Sequence, residues 1–124
     1  MAKVDSHRDL IVWQKAMDLT VEVYRLTSMF PGTETYRMTA QVTRSAASVP
    51  ANIAEGHARS TRRDYANFLA IAKGSLMETE TFLTLAIRLG FVSQNQAQMA
   101  MGLLTEISKM ITTIRMKLQH AENS

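Results

Sequence analysis

The sequence predicts an all-α protein, an antiparallel up-down-up-down four-helix bundle whose second helix is kinked by a proline. Three observations carry this. Apolar residues recur at spacings of three and four along four stretches, turn-forming residues separate those stretches, and aromatic residues, glycine and proline are few. With five Gly, two Pro and nine Met in 124 residues, the composition suits helices with adaptable packing. The expected helices cover about 9–28, 34–57, 61–89 and 94–119 of a single domain, and connections of about three to five residues favour antiparallel neighbours.

In the first stretch Val12, Ala16, Leu19, Val23 and Leu26 form one apolar face. Pro31 and Gly32 end it, and Thr33 is placed to cap the second helix. The second stretch has two faces. Met38, Val42, Ala46, Val49 and Ile53 make one stripe; Tyr36, Ala40, Ala47, Ala51 and Ala54 make a second line of mostly tiny side chains; Arg37, Gln41, Arg44, Ser48 and Glu55 occupy the remaining side. Two apolar faces imply two partners. The third stretch opens at Thr61, in capping-box spacing with Asp64, and stops before Gly90. Its apolar residues span about 200° of the wheel, well beyond the roughly 100° of a surface helix. The fourth opens on Ser93 and Gln96 in the same capping spacing, with Ala100, Leu103, Ile107, Met110, Ile114 and Leu118 as a near-heptad seam. The surplus apolar surface on the second and third helices suggests subunits packing together; a wide-cored monomer is the alternative.

Composition narrows the function. Cysteine is absent, which removes thiolate metal sites and cysteine nucleophiles and suits a reducing compartment, so the reading is cytoplasmic. No segment reaches the roughly 18 apolar residues of a membrane span. Fourteen Lys and Arg against eleven Asp and Glu give a net charge of +3, a mild basic bias compatible with nucleic acid. None of His7, His57 or His120 has a Glu three residues before it, as an inward-facing carboxylate-metal bundle requires. No phosphate loop, G-x-S-x-G or H-E-x-x-H occurs, so no enzyme activity, metal or cofactor is expected.

The densest punctuation lies in "SVPANIAEGHARSTRRDY", Ser48–Tyr65. Pro50 cannot donate to the carbonyl of Ala46 and should bend or restart the helix at Ser48–Pro50, with Ser48 and Asn52 satisfying the freed groups. Gly56 is placed to supply a left-handed helix stop. In a functional reading Asn52 and Glu55 become a polar pair at an interface. Arg62 and Arg63 fall in the first turn of the third helix, the unfavourable end for cations. They are either a solvated basic turn partly balanced by Asp64 or, with Arg59, a site for an anionic ligand. Glu78 lies within the apolar arc between Ile71 and Leu85, so at least partial burial and a partner are expected, with Arg44 of the same or a neighbouring subunit nominated.

"RDLIVWQKAMDLTVEVYRLTSMFP", "YRMTAQVTRSAASVPANIAEGHARSTRRDYANFLAIAKGSLMETET" and "AIRLGF" resemble the 23S ribosomal RNA intervening-sequence protein family, most specifically at Pro50–Gly56. The resemblance implies a four-helix bundle assembling as a ring-like homopentamer. It extends to the accessory variability proteins of diversity-generating retroelements, basic pentamers that bind nucleic acid and a reverse transcriptase. This chain has Thr43, Arg44 and Ser45 where family members often carry two consecutive basic residues. The expected function is a homo-oligomeric accessory protein binding RNA or DNA through Arg59, Arg62 and Arg63, with Lys73, Arg37 and Arg44 assisting; the alternative is a protein-interaction scaffold.

Overall fold

The computed structural model describes residues 6–123; residues 1–5 and 124 of the expected domain lie outside the described residues. Four α-helices dominate and no strand occurs among the described residues: α1 Ile11–Thr27, α2 Ala40–His57, α3 Arg62–Arg88 and α4 Gln98–Asn123. Each helix packs on two others, in the closed order α1–α2–α3–α4–α1. Side-chain pairings fix the directions. Ser45 meets Thr79 and Ser48 meets Ser75, so α2 and α3 run in opposite senses. Residues 63 and 67 share a cleft with 115 and 119, whereas Ile87 shares one with Gln98 and Met101, so α3 and α4 also oppose. Lys15 pairs with Glu106, and Val21 neighbours Met99, which makes α1 and α4 antiparallel too.

The α1 stripe is buried as its spacing dictates: Ala16, Leu19, Val23 and Leu26 are fully enclosed and Val12 nearly so. Its helix starts at Ile11 because Ser6 caps a separate tight turn at His7–Asp9, leaving Leu10 extended between the two. On α2, Val42, Ala46, Val49 and Ile53 are buried and Met38 packs at the margin. On α4 the seam is rotated from the one the sequence suggests. Ala97, Ala100, Leu104, Ile107 and Ile111 face inward, and the expected Leu103, Met110, Ile114 and Leu118 flank them half-buried. Both sets have three-four spacing, and only the neighbouring helices decide between them.

Local chemistry explains most helix ends. Ser93 and Gln96 form the reciprocal capping box, Gln96 N–H donating to Ser93 Oγ (3.0 Å) and Ser93 N–H to Gln96 Oε1 (2.9 Å). The box holds a turn ahead of the helix proper, so α4 begins at Gln98 rather than near 94. At the end of α3, Gly90 takes φ +78°, with Phe91 N–H donating to Ala86 O and Gly90 N–H to Ile87 O. This double bond pattern satisfies two terminal carbonyls and needs a left-handed residue. Phe91 then meets Phe30, ring centroids 5.6 Å apart, and closes that end of the bundle.

The second helix departs from expectation at both ends and in the middle. Thr33 caps nothing; Thr35 Oγ1 donates to Gly32 O and holds a tight turn. The chain then passes through a wide π-type turn, Thr35–Thr39, where Arg37 leaves helical dihedrals (φ −115°, ψ −107°) before regular α2 begins. At Pro50 the helix neither stops nor restarts. The carbonyl that Pro50 leaves without a donor belongs to Ala46. Thr20 Oγ1, from α1, donates to it at 3.2 Å while sharing its proton with Ala16 O at 2.9 Å. Ser48 and Asn52 serve a different purpose: Asn52 Nδ2 donates to Ser48 O (2.8 Å) and Ser48 Oγ (2.9 Å), and Ser48 pairs with Ser75. A neighbouring helix therefore supplies the missing bond.

Replacing Thr20 by Val should cost about 1 kcal/mol, the usual worth of such a hydrogen bond, while Thr20→Ser costs less. In a Pro50→Ala background the helix regains its own donor, so the Thr20→Val loss should shrink. Urea denaturation of the four proteins in this cycle checks it, and an undiminished loss would mean that Thr20 acts through packing alone.

Candidate nucleic-acid interface

The turn joining α2 to α3 is built on a close approach. Gly56 is buried inside α2, and a Cβ added there would lie 2.6 Å from Phe68 Cβ and 3.3 Å from Tyr65 O. Gly56 is therefore not the left-handed stop expected of it: α2 continues to His57, and Gly90 is the glycine with positive φ among the described residues. Its missing side chain lets the first turns of α3 lie against the last turn of α2. His57 packs edge-on against Tyr65, centroids 5.7 Å apart, and burial pushes the Tyr65 phenol above its ordinary pKa. Thr61 Oγ1 accepts the Asp64 N–H at 3.1 Å, so α3 starts at Arg62.

Three arginines project around this turn and differ in what holds them. Arg59 Nη2 lies 2.9 Å from Glu55 Oε1, and its guanidinium carbon sits 4.8 Å from the centre of the Phe68 ring. It is partly neutralised and fixed in place. Glu55 is thereby paired with Arg59, and Asn52 with Ser48, so Asn52 and Glu55 do not form a polar pair with each other within the chain. Arg62 and Arg63 are exposed and have no ion-pair partner among the described residues. Their charge faces solvent from a helix start.

The remaining expected residues do not join them. Lys73 is half-buried and donates to Thr112 Oγ1 on α4. Arg37 lies at the Phe30–Phe91 end, separated from Arg59 by the whole of α2, about 27 Å for its 18 residues. Arg44 Nη2 lies 2.8 Å from Glu78 Oε1 and also donates to Gln41. The nominated pair thus forms, and Glu78 is half-buried as expected, while within one chain the Arg44 side chain is 64% exposed and that of Glu78 40%. The cause is geometric: the outer edge of the α3 arc, with Ile71 and Leu85 on either side of Glu78, is left uncovered by the other helices. An exposed pair of this kind contributes under about 1 kcal/mol.

One cation at the basic end carries no signal in the sequence. Arg115, from α4, lines a cleft with Arg63, Asn67 and Gln119. The Lys73–Thr112 contact sets the α3–α4 register; Arg63 lies ten residues back along α3 and Arg115 three forward along α4, so their backbones are offset by about 10 Å and it is their long side chains that bring both to the cleft. Without that register nothing singles Arg115 out. Among the described residues no group of three or more His, Cys, Asp or Glu could hold a metal ion, and no helix is long and apolar enough to cross a membrane.

These features define a small helical-bundle protein with a basic helix–turn–helix corner. The chain belongs to the 23S rRNA-intervening sequence protein family, whose profile matches residues 8–113. It is similar in structure to a protein of unknown function from the S23 ribosomal protein family of Bacteroides thetaiotaomicron. The two are 30% identical with a TM-score of 0.78, over 85% of this chain and 98% of the other. No match was found among curated proteins.

Gly56→Ala tests the corner. Alanine improves helix propensity by about 1 kcal/mol, but the overlap with Phe68 has little room to relax, and overpacking of this kind costs about 1–3 kcal/mol. The variant should be net destabilised in urea; equal stability would mean that α2 and α3 part freely at this point.

Proposed function

We propose that this chain is a non-catalytic, homo-oligomeric accessory protein that binds RNA or DNA through the α2–α3 corner. The observation that carries the reading is the pair Arg62 and Arg63, exposed and unpaired among the described residues at the end of a helix where cations are disfavoured. Evolution tolerates such placement where an anion compensates it. The family's name links its members to ribosomal RNA genes, and the mild positive charge agrees with a polyanionic partner. Aromatic stacking is not offered here, since Tyr65 and Phe68 pack inward against the core and the corner. Binding is therefore electrostatic and largely indifferent to sequence.

Support for self-association comes from apolar surface that the single chain leaves open. Ala40, Ala47 and Ala51 on α2 are exposed and Tyr36 is 95% exposed, while Trp13, Met17 and Tyr24 of α1 join Ala47 and Ala51 around a groove of about 470 Å³. On α3, Ile71, Leu85 and Leu89 are exposed along the outer edge of the arc. Monomeric proteins rarely leave large contiguous apolar patches uncovered. Five copies is the number implied by the family resemblance, and repetition of a weak basic corner on one rigid frame raises avidity without new contacts.

Two measurements test this reading. Light scattering after size exclusion should give a mass several times 13.9 kDa at tens of micromolar, and a monomer would remove the oligomeric part. Charge reversal of Arg59, Arg62 and Arg63 should abolish salt-sensitive binding to RNA and DNA while helicity and oligomer size are kept. Unchanged binding in the triple variant would displace the site, and no binding by the parent at near-physiological salt would favour a protein-interaction scaffold.

A further inference from the structure

We infer that the cleft between the start of α3 and the end of α4 holds a single phosphate group of a nucleic-acid backbone; the identity of its carrier rests on the proposed nucleic-acid function. The cleft encloses about 260 Å³ and is lined by Arg63, Ala66, Asn67, Arg115 and Gln119. Two guanidinium groups and two carboxamides thus converge from two helices, and among the described residues no carboxylate lines the space. Two like charges facing one small volume repel, and nothing among the described residues neutralises either one. Arg115 adds a second, independent sign. Its Nε is buried with no hydrogen-bond partner among the described residues, a rare and costly condition.

The donor set matches a phosphate better than other anions. Forked guanidinium groups offer paired N–H donors to two oxygens of one phosphate, and the amide groups of Asn67 and Gln119 can donate to a third. The volume is ample for one phosphate with its ester oxygens. Ala66 keeps the floor small.

The test uses the full chain labelled with nitrogen-15, observing the Arg side-chain N–H and the Asn and Gln side-chain amide signals. Titrations use inorganic phosphate against chloride at matched ionic strength, and separately a short single-stranded oligonucleotide. The Arg115 Nε–H, Asn67 and Gln119 signals should move saturably in both. Because Arg115 is part of the packing, the principal variant is at the exposed Gln119. Gln119→Glu places a carboxylate in the cleft, so it should abolish the phosphate response, weaken the oligonucleotide roughly threefold to tenfold and leave thermal stability unchanged or raised. Arg115→Lys keeps the charge but loses the fork, and should retain only part of the response. Arg115→Gln should lower the salt slope of oligonucleotide binding by about one.

The outcomes separate cleanly. Undiminished oligonucleotide binding in Gln119→Glu and Arg115→Gln overturns the cleft while leaving the corner's nucleic-acid role intact. Saturable phosphate shifts at these residues without oligonucleotide binding keep the cleft as a phosphate site and overturn the nucleic-acid source. Shifts no larger than those at Arg59 and Arg62, or equal in chloride, overturn it as a diffuse ion atmosphere.

Discussion

The architecture depends on how closely α2 approaches α3. At Gly56 the two helices nearly touch through backbone and Phe68 Cβ, and toward the middle of α2 the contact is made by hydroxyl groups rather than by large side chains. Ser45 Oγ and Thr79 Oγ1 meet at 2.8 Å with both residues fully or almost fully buried, and Ser48 Oγ meets Ser75 Oγ at 2.9 Å. Small residues permit the approach, and the hydroxyl pairs then fix its register, because a slip along the helices would strand buried polar groups. The basic corner inherits its geometry from this seam. A wider spacing would move Arg62 and Arg63 away from Arg59 and lift Phe68 from beneath it.

The consequences reach α1 and α4. The same helix that approaches α3 closely carries Pro50, and the carbonyl thus freed draws Thr20 of α1 onto its opposite side. So α2 is bonded to a neighbour on each flank, by polar groups on both and by apolar packing at Val42, Ala46, Val49 and Ile53 between them. On the far side of α3, Lys73 reaches Thr112 and fixes α4 against it, and the cleft beyond is lined from both helices by Arg63 and Arg115. Polar contacts few in number thus choose among alternatives that the apolar stripes leave nearly equal.

That division explains what the sequence could disclose. The α1 stripe was legible because a single set of residues satisfies the helical period, and the Ser93–Gln96 and Thr61–Asp64 caps were legible because capping is local. The α4 face was misplaced by one residue at Leu103 and Met110 because two overlapping three-four patterns coexist there, and burial depends on the neighbours. Gly56 and Gly90 look alike in sequence; one answers a backbone dihedral and the other a neighbouring helix, a distinction that exists only in three dimensions. The role of Thr20 was hidden for the same reason, being 26 residues from the carbonyl it serves. The arginines of the corner were visible as misplaced charges, whereas Arg115 sits within α4, where a half-buried charged side chain at the margin of the apolar seam gave no signal.

The outward line of α2 has a consequence for the kinetics and thermodynamics of encounter. Ala40, Ala47 and Ala51 present methyl groups without rotamers. A surface of this kind is already in its bound form. Whatever lands there loses only its own side-chain freedom, since alanine has essentially none to lose, whereas a lysine or methionine surface would forfeit up to about 2 kcal/mol for each side chain immobilised. Burial of modest area can then suffice for association, and mutation of these alanines to longer residues acts twice, by steric bulk and by restoring an entropy that docking must remove.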